Sequence, residues 1–398
     1  MQLKIVYIHQ YYNTPESAGG TRSYYIAQEM VRQGHSVTML TSNRSGRSGK
    51  MVSHESRDGI DVIRIRNRYD NDMGTARRII SFLSFMAIST AVSLRQKNVD
   101  LIFATSTPLT VGIPALINKL FRRRSYIFEV RDLWPEFPIQ MGAVKSTAVI
   151  RALRYFERTI YKHATLIIAL SPGMKGPIDA LGFAEKTIMI PNMAKPKEFF
   201  PRPSNKSVLK QFNINPESLK IVYFGALGRA NNIPHLVREI QYATEQNLPV
   251  QFLIIGEGAM GEQAQKDLSE VSNKKYIFLG NQNMENVSAI VNECQISVTS
   301  FLNLPILETN SPNKFFDSLS AGKPSAINVH GWIQDLVEKH ECGFYTNPEI
   351  RGDLVDKSLA LYQDTARYTR YCENSRALAL NEFDRSNLAK KLVDSIPV

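Results

Sequence analysis

The chain has 398 residues, 43% of them hydrophobic and 21% charged, an ordinary globular composition with length for two or three domains and a core in each. Its three cysteines, Cys294, Cys342 and Cys372, show no CxxC or Cys/His spacing, which excludes a zinc module and a disulfide framework and fits a reducing compartment. The formal charge of +11 is uneven, +13 over residues 1–200 and −2 over 201–398, so an anionic partner (nucleic acid, membrane surface or phosphorylated substrate) belongs to the first half.

The start, "MQLKIVYIHQYY", lacks the basic, apolar, small-residue order of a signal peptide and reads as a strand. Further strand patterns follow in "SVTMLTS", "DVIRIRN", "DLIFATS", "SYIFEVRD", "TLIIALS" and "TIMIPN". Helical periodicity lies between most of them, at Thr21–Gln33, Ala76–Gln96 and Thr147–Lys162. Strands alternating with helices of this length predict βαβ units and a parallel sheet. Residues 42–59 are polar and glycine-containing and read as a loop.

"PNMAKPKEFFPRPSNKS", rich in Pro, Lys and Ser and without periodicity, reads as a linker. The alternation then restarts with "KIVYFGALG", "VQFLIIGEG", "KYIFLGN", "ISVTSF", "PSAINV" and "CGFYTN", separated by helical patterns at Ile233–Thr244, Glu262–Val271, Glu285–Glu293 and Pro312–Ser320. Asp353 to Val393 reads helical throughout. The expected fold is α/β, with two Rossmann-like, doubly wound parallel-sheet domains facing a central cleft. Residues 1–193 form the first domain, 194–207 a hinge linker, and 208–380 the second domain. A C-terminal helix over 381–398 is expected to pack back on the first. In such sheets ligands sit at the carboxyl ends of the strands, where strand order reverses.

Several loops follow strand ends. Gly19 and Gly20 precede the helix that opens with Thr21 and Arg22, a geometry that lets backbone approach a ligand and points free N–H groups at an anion. A plain glycine turn is the alternative. "FGALGRANN" brings Gly225, Gly228 and Arg229 to a strand end, and "IIGEGAMGE" repeats the theme with Gly256, Glu257 and Gly258. In "SPNKFFD", Pro312 suits the first helical position and Ser311 the N-cap. Asn313 and Lys314 then fall in the first turn, where a cation opposes the helix dipole by ~0.3–1 kcal/mol. Stability alone would not place Lys314 there. A bound diphosphate resolves the conflict by accepting backbone N–H bonds and pairing with the lysine. Asp317, one turn deeper, is then placed to accept hydrogen bonds from sugar hydroxyls.

Taken in order, the amino-terminal glycine loop with "GHSVTMLTS", "RDLWPE", the "IPNMAKPKEFFPRP" hinge, "FGALGR", "LIIGEGAMGEQ", "YIFLGN" and "SPNKFFDSLSAGKPSAIN" resemble the GT-B glycosyltransferases of family 4. "RDLWPE" and "SPNKFFDSLSAGKP" resemble the bacterial amino-sugar transferases for O-antigen, capsule and exopolysaccharide, fucosaminyltransferase-like members among them. The resemblance implies a retaining, hexosyltransferase-type enzyme that uses no metal and no cofactor. Its donor is a UDP-sugar, with an N-acetylated amino sugar expected. Its acceptor is a lipid-linked saccharide, undecaprenyl-diphosphate-linked or similar.

Uridine is expected over "FGALG", "GEG" and "LGN", and the diphosphate at the helix start carrying Ser311, Asn313 and Lys314. Lys314 and Arg229 would neutralise the leaving group. The family's acidic pair is spaced by seven residues. Here the second acid is Asp317, the matching position holds Thr309, and Glu308 stands one place off. Many members carry a His in the amino-domain loop where this chain has Arg131-Asp132. Asp132 is therefore expected to orient acceptor or donor sugar, a buried Asp capping the "LWPEF" turn being the equal alternative.

"TARRIISFLSFMAISTAVSLRQKN" is apolar on more than one face, has arginines at both ends (Arg77, Arg78 and Arg95), and is joined by Arg122, Arg123 and Arg124. It is too short and too polar for a span. An ordinary core helix is one reading; the other, a segment lying on an anionic bilayer, implies a cytoplasmic protein attached peripherally to the inner face of the plasma membrane. Two other functions fit parts of the sequence. A nucleotide-sugar epimerase shares the architecture, but of seven His only His9 falls in the loops named here. A nucleic-acid-binding protein fits the charge, but no nucleic-acid-binding motif is present.

Overall fold

The computed structural model describes residues 2–16, 19–43, 51–67, 75–271 and 274–397. Part of the expected loop 42–59, residues 44–50, lies outside them, as does the side chain of Arg78. The chain divides into two compact units. One holds Met1–Thr14, Gly20–Pro191 and Ser386–Val398, and the other Pro15–Gly19 and Asn192–Arg385.

The first unit carries β1 (Lys4–Ile8), β2 (Ser36–Asn43), β3 (Val52–Arg57), β4 (Ile60–Arg66), β5 (Leu101–Thr105), β6 (Ser125–Val130), β7 (Leu166–Ala169) and β8 (Thr187–Met189). They form one sheet in the order β3-β4-β2-β1-β5-β6-β7-β8. All neighbours pair in parallel except β3 with β4. The central strands are apolar on both faces because helices cover both; every residue of β5 is buried. Strand order reverses between β1 and β5.

β4 falls on the expected strand "DVIRIRN", but its antiparallel partner β3 lies within the expected loop 42–59. Asp58 (φ 52°) and Gly59 (φ 78°) make the two-residue turn, as an Asp-Gly pair does in tight hairpins. Arg64 Nη2 lies 2.8 Å from Glu55 Oε1 across it. The hydrophobic alternation of β3 is weak, which hid it.

The second unit holds β9 (Leu219–Phe224), β10 (Val250–Ile255), β11 (Tyr276–Gly280), β12 (Ile296–Thr299), β13 (Ser325–Ile327) and β14 (Gly343–Tyr345) in the order β11-β10-β9-β12-β13-β14, all parallel. The reversal lies between β9 and β12. One face packs Ile221, Tyr223, Phe252 and Ile254 under the helix Ile233–Glu245; the other packs Val222, Phe224, Leu253 and Ile255 with Ile290 and Phe199.

Phe199 belongs to the segment expected as a linker. Its ring stacks on Phe224 at 6.2 Å, and Arg202 Nη2 donates to Ser288 Oγ at 2.7 Å. Residues 194–207 are therefore packed along the second unit. The helical tail resolves into Asp353–Gln363, Thr365–Asn381 and Arg385–Asp394. Most of the last lies in the first unit, where Gln33 Nε2 donates to Asp394 Oδ1 at 2.9 Å. Among the described residues no helix is long and apolar enough to cross a membrane.

Candidate active site

The carboxyl ends of β9, β10 and β11 run into glycines with left-handed φ, Gly225 (129°), Gly256 (130°) and Gly280 (61°). The three loops are laced by backbone. Gly225 N donates to Ile255 O at 2.9 Å, Gly256 N to Gly280 O at 2.8 Å, and Leu227 N to Glu257 O at 2.9 Å. A side chain is excluded at Gly256 and at Gly258, two residues further along the β10 loop. A Cβ on Gly256 would lie 2.0 Å from Gly225 O, and one on Gly258 would lie 2.7 Å from the Leu227 backbone. The glycines thus keep main chain, not side chains, at this edge of the sheet.

Lys314 sits at the reversal between β9 and β12. It comes from the first turn of the helix Asn313–Ser320. Its Nζ lies 3.8 Å from the centre of the Tyr223 ring on β9 and 6.0 Å from that of Phe301, just past β12. A Cβ on Gly225 would stand 3.1 Å from Lys314 Cε. Nζ is buried and has no hydrogen-bond partner among the described residues. Burial away from any counter-charge pulls its pKa down to about 7. The amine thus lies against the Tyr223 and Phe301 rings and the Gly225 backbone, with no counter-charge paired to it among the described residues.

The helix start is open in the same sense. Ser311, expected as its N-cap, is used otherwise: Pro312 occupies that position and no side chain caps the helix. The Ser311 hydroxyl instead accepts from Asn192 N at 3.0 Å, and the Ser311 carbonyl accepts from Asn192 Nδ2. Phe315 N turns back to Pro312 O at 3.2 Å, and proline supplies no side-chain oxygen to cap the N–H groups of Asn313 and Lys314. Asn313 stands half-buried beside Lys314.

Asp317, expected to accept from sugar hydroxyls, also meets a cation. Its Oδ2 lies 3.0 Å from Lys195 Nζ, both side chains being buried. Burial raises the carboxyl pKa and Lys195 opposes the rise. One oxygen is thus committed to an ion pair, and Oδ1 is buried without a partner among the described residues. Glu308 lies in the short helical turn Pro305–Thr309 and is half-buried. Gly331 passes so close that a Cβ there would be 2.6 Å from Glu308 O. Arg229, in the turn Arg229–Asn231, and Glu257 are exposed, and Glu257 Oε2 accepts from Asn281 Nδ2 at 2.7 Å. Gly228 precedes that turn in extended backbone.

In the first unit, Asp132 follows β6 and accepts from Thr107 Oγ1 at 3.0 Å. Burial pushes its pKa up to about 6, with the Thr107 bond and Arg131 opposing. Gly19 has a left-handed φ of 117°, and Gly20 leads into the helix Arg22–Arg32.

Arg22, at the first position of that helix, is not free for an anion. Its Nε lies 2.8 Å from Glu129 Oε1, Nη2 donates to Ile190 O at 2.9 Å, and Nη1 donates to Pro191 O. A buried arginine must be paired and hydrogen-bonded in this way. Glu129 Oε2 in turn accepts from Thr105 Oγ1 at 3.0 Å.

No local signal in the sequence marks Tyr223, Phe301 or Lys195. Nor does one mark Gln10, Thr21 and Trp134, whose side-chain Nε2 and Oε1, Oγ1 and Nε1 atoms are buried without partners among the described residues, beside the carboxyl ends of β1 and β6.

The sheets and the loops at their carboxyl ends are those of a two-domain sugar-transfer enzyme. The pattern of the glycosyl transferase 4-like domain matches residues 17–193, and that of the glycosyl transferases group 1 domain matches residues 218–364. The chain belongs to the GT-B glycosyltransferases and is a transferase.

It is 21% identical over 326 residues to Probable glycosyltransferase WbjE of Pseudomonas aeruginosa, covering 81% of this chain and 79% of that protein. Among solved structures it is similar to sucrose-phosphate synthase from Thermosynechococcus elongatus, with TM-score 0.77, 17% identity, and 99% and 98% of the two chains covered. It is also similar to HepE of Anabaena in complex with UDP and glucose, with TM-score 0.72, 17% identity and 99% of each chain covered. The lipopolysaccharide glycosyltransferase WaaG gives TM-score 0.66 and 13% identity, over 98% of each chain.

Proposed function

We propose that the protein transfers a sugar, an N-acetylated amino sugar by the family 4 resemblance, from a UDP-sugar to a lipid-linked saccharide, with retention of configuration and without a metal, in the synthesis of a bacterial surface polysaccharide. The observation that carries this is Lys314: a buried, unpaired ammonium at an uncapped helix start, at the strand reversal of the second unit. A diphosphate satisfies all of its needs at once. Its oxygens take the free N–H groups and pair with Nζ, and Arg229 supplies a second, exposed cation nearby in the loop after β9.

As the bond from the sugar to the diphosphate breaks, negative charge grows on the leaving oxygen. Lys314 and the helix start are fixed where that charge develops and need no reorganisation. The glycine-lined backbone after β9, β10 and β11 suits uridine. HepE has been solved with UDP, with UDP and glucose, and with UDP-glucose, which supports a UDP-linked donor. The WbjE and WaaG likenesses support a place in surface polysaccharide synthesis.

Asp132 orients the acceptor in the first unit, and the unpartnered atoms of Gln10, Thr21 and Trp134 suit a polar ligand. The protein works in the cytoplasm, peripherally at the inner face of the plasma membrane. The test is a screen of UDP-sugars with purified protein and a lipid-linked saccharide, read by mass spectrometry, alongside calorimetric binding of UDP. Binding of UDP that disappears in Lys314→Met supports the site. Unchanged UDP affinity in that variant overturns it.

A further inference from the structure

Three helices of the first unit pack side by side: Thr75–Arg95, Gly112–Arg122 and Thr147–His163. Asn118 Nδ2 donates to Ser93 Oγ at 2.8 Å between the first two. Between the second and third, a Cβ on Gly112 would lie 2.4 Å from Ile160 Cδ1. Right-handed crossovers put all three on the same face of the sheet. Outer helices of such a domain normally show water a polar surface. These show Ile80, Leu83, Leu120, Phe121, Val149 and Tyr155, which are six of the eleven exposed large hydrophobic residues among those described. Phe121 and Tyr155 are each 76% exposed.

Charge on this layer is of one sign. The three helices contain nine Lys and Arg and a single acid, Glu157. Glu157 is half-buried, and burial holds its carboxyl up at about 7. Arg124, expected to join the basic cluster, does not: its guanidinium is spent on Ser93 O, Gln96 O and Asn118 Oδ1. Arg154 pairs with Glu136 at 2.7 Å. Arg122, Arg123, Arg151, Arg158 and Lys162 remain exposed, with no acidic partner among the described residues.

The geometry points to this three-helix layer as the surface by which the protein docks on an anionic lipid bilayer, Phe121 and Tyr155 entering the interface and Arg122, Arg123, Arg151 and Arg158 meeting headgroup charge. Large side chains that are apolar and aromatic, standing among unpaired cations, match a bilayer interface, where one end of a group is dry and the other wet. A nucleic acid would engage the cations and leave Ile80, Leu83, Leu120 and Val149 in water. The inference deepens the proposed use of a lipid-linked acceptor but stands on a different surface from the diphosphate site.

The test is sedimentation of the full chain with vesicles of phosphatidylcholine alone or with phosphatidylglycerol. UDP binding is measured separately without vesicles, so failure of docking and failure of the donor site are told apart. The expected result is binding only to the anionic vesicles, released by salt. Each of Arg122→Ser and Arg123→Ser should weaken it about fivefold, and Phe121→Ser with Tyr155→Ser about tenfold or more, with melting temperature and UDP affinity unchanged. Equal binding to neutral vesicles, variants that bind like the parent, or binding to duplex DNA with none to vesicles would each overturn the assignment.

Discussion

Lys314 Nζ lies 3.8 Å from the centre of the Tyr223 ring, with no acceptor and no counter-ion within reach of it among the described residues. The ring face returns about 2 kcal/mol to a desolvated cation, less than the several kcal/mol that taking an ammonium out of water costs. The empty protein therefore carries Lys314 at a loss that a bound diphosphate would offset. Lys314→Met keeps the packing and removes the charge. It should melt at a higher temperature than the parent while turning over UDP-sugar at least ~100-fold more slowly. Thermal melts and a turnover assay on the same preparation check both halves.

The same lysine links binding to pH. Burial holds its pKa down to about 7 in the free protein. A diphosphate beside it favours the charged form and raises that value. Above pH 7 the site must take up a proton to bind, so UDP affinity should fall about tenfold per pH unit between pH 7.5 and 9. Calorimetry in two buffers of different ionisation heat should find proton uptake near zero at pH 6 and near one at pH 8.5. Uptake that stays at zero would mean that Lys314 does not meet the anion.

Asp132 gives a second pH signature, in stability. Its pKa is about 6 in the fold against an ordinary 3.8. The folded state holds the proton more tightly between those values. The group's favourable contribution is full below pH 4, declines as pH rises, and is gone above about 6. Asp132→Asn, which cannot ionise, should therefore raise the melting temperature at pH 7.5 and not at pH 4. If the residue also orients the acceptor, its turnover falls while UDP affinity stays constant.

The backbone lacing after β9 and β10 predicts a steep glycine effect. In Gly256→Ala the new Cβ meets Gly225 O at 2.0 Å, at φ 130°. Neither atom can yield, because Gly225 N is bonded to Ile255 O in the same ladder. The cost should be about 3 kcal/mol or more. Gly182→Ala, at φ 91° with nothing within 4 Å of the new Cβ, should cost only its backbone strain, about 1–2 kcal/mol. Urea unfolding of the two variants gives the comparison.

Lys195 and Asp317 form a buried pair at 3.0 Å. Lys195→Met leaves an uncompensated carboxylate and should cost ~3–5 kcal/mol, most of it recovered by adding Asp317→Leu. Recovery of stability without recovery of turnover would mean that Asp317 Oδ1 also serves the donor. Recovery of both would mean that the pair is structural alone.

The alternation of apolar runs with helical periods determined the parallel strands of both sheets, because a strand covered on both faces must be apolar throughout and its crossover helix must be amphipathic. Glycines at the strand ends, and a lysine where a helix dipole disfavours one, marked the edge where the site lies. These are local conflicts that a sequence displays openly. Tertiary structure alone decided the partners. Lys195 reaches Asp317 and Arg22 reaches Glu129 across long separations in sequence, so no spacing announces them. Asn192 takes the Ser311 hydroxyl that local pattern assigned to a helix cap. The segment around Phe199 lacks any period, yet one aromatic side chain stacked on Phe224 turns it from linker into core. Hydrogen bonds and apolar contacts act between groups near in space, and only the folded chain says which groups those are.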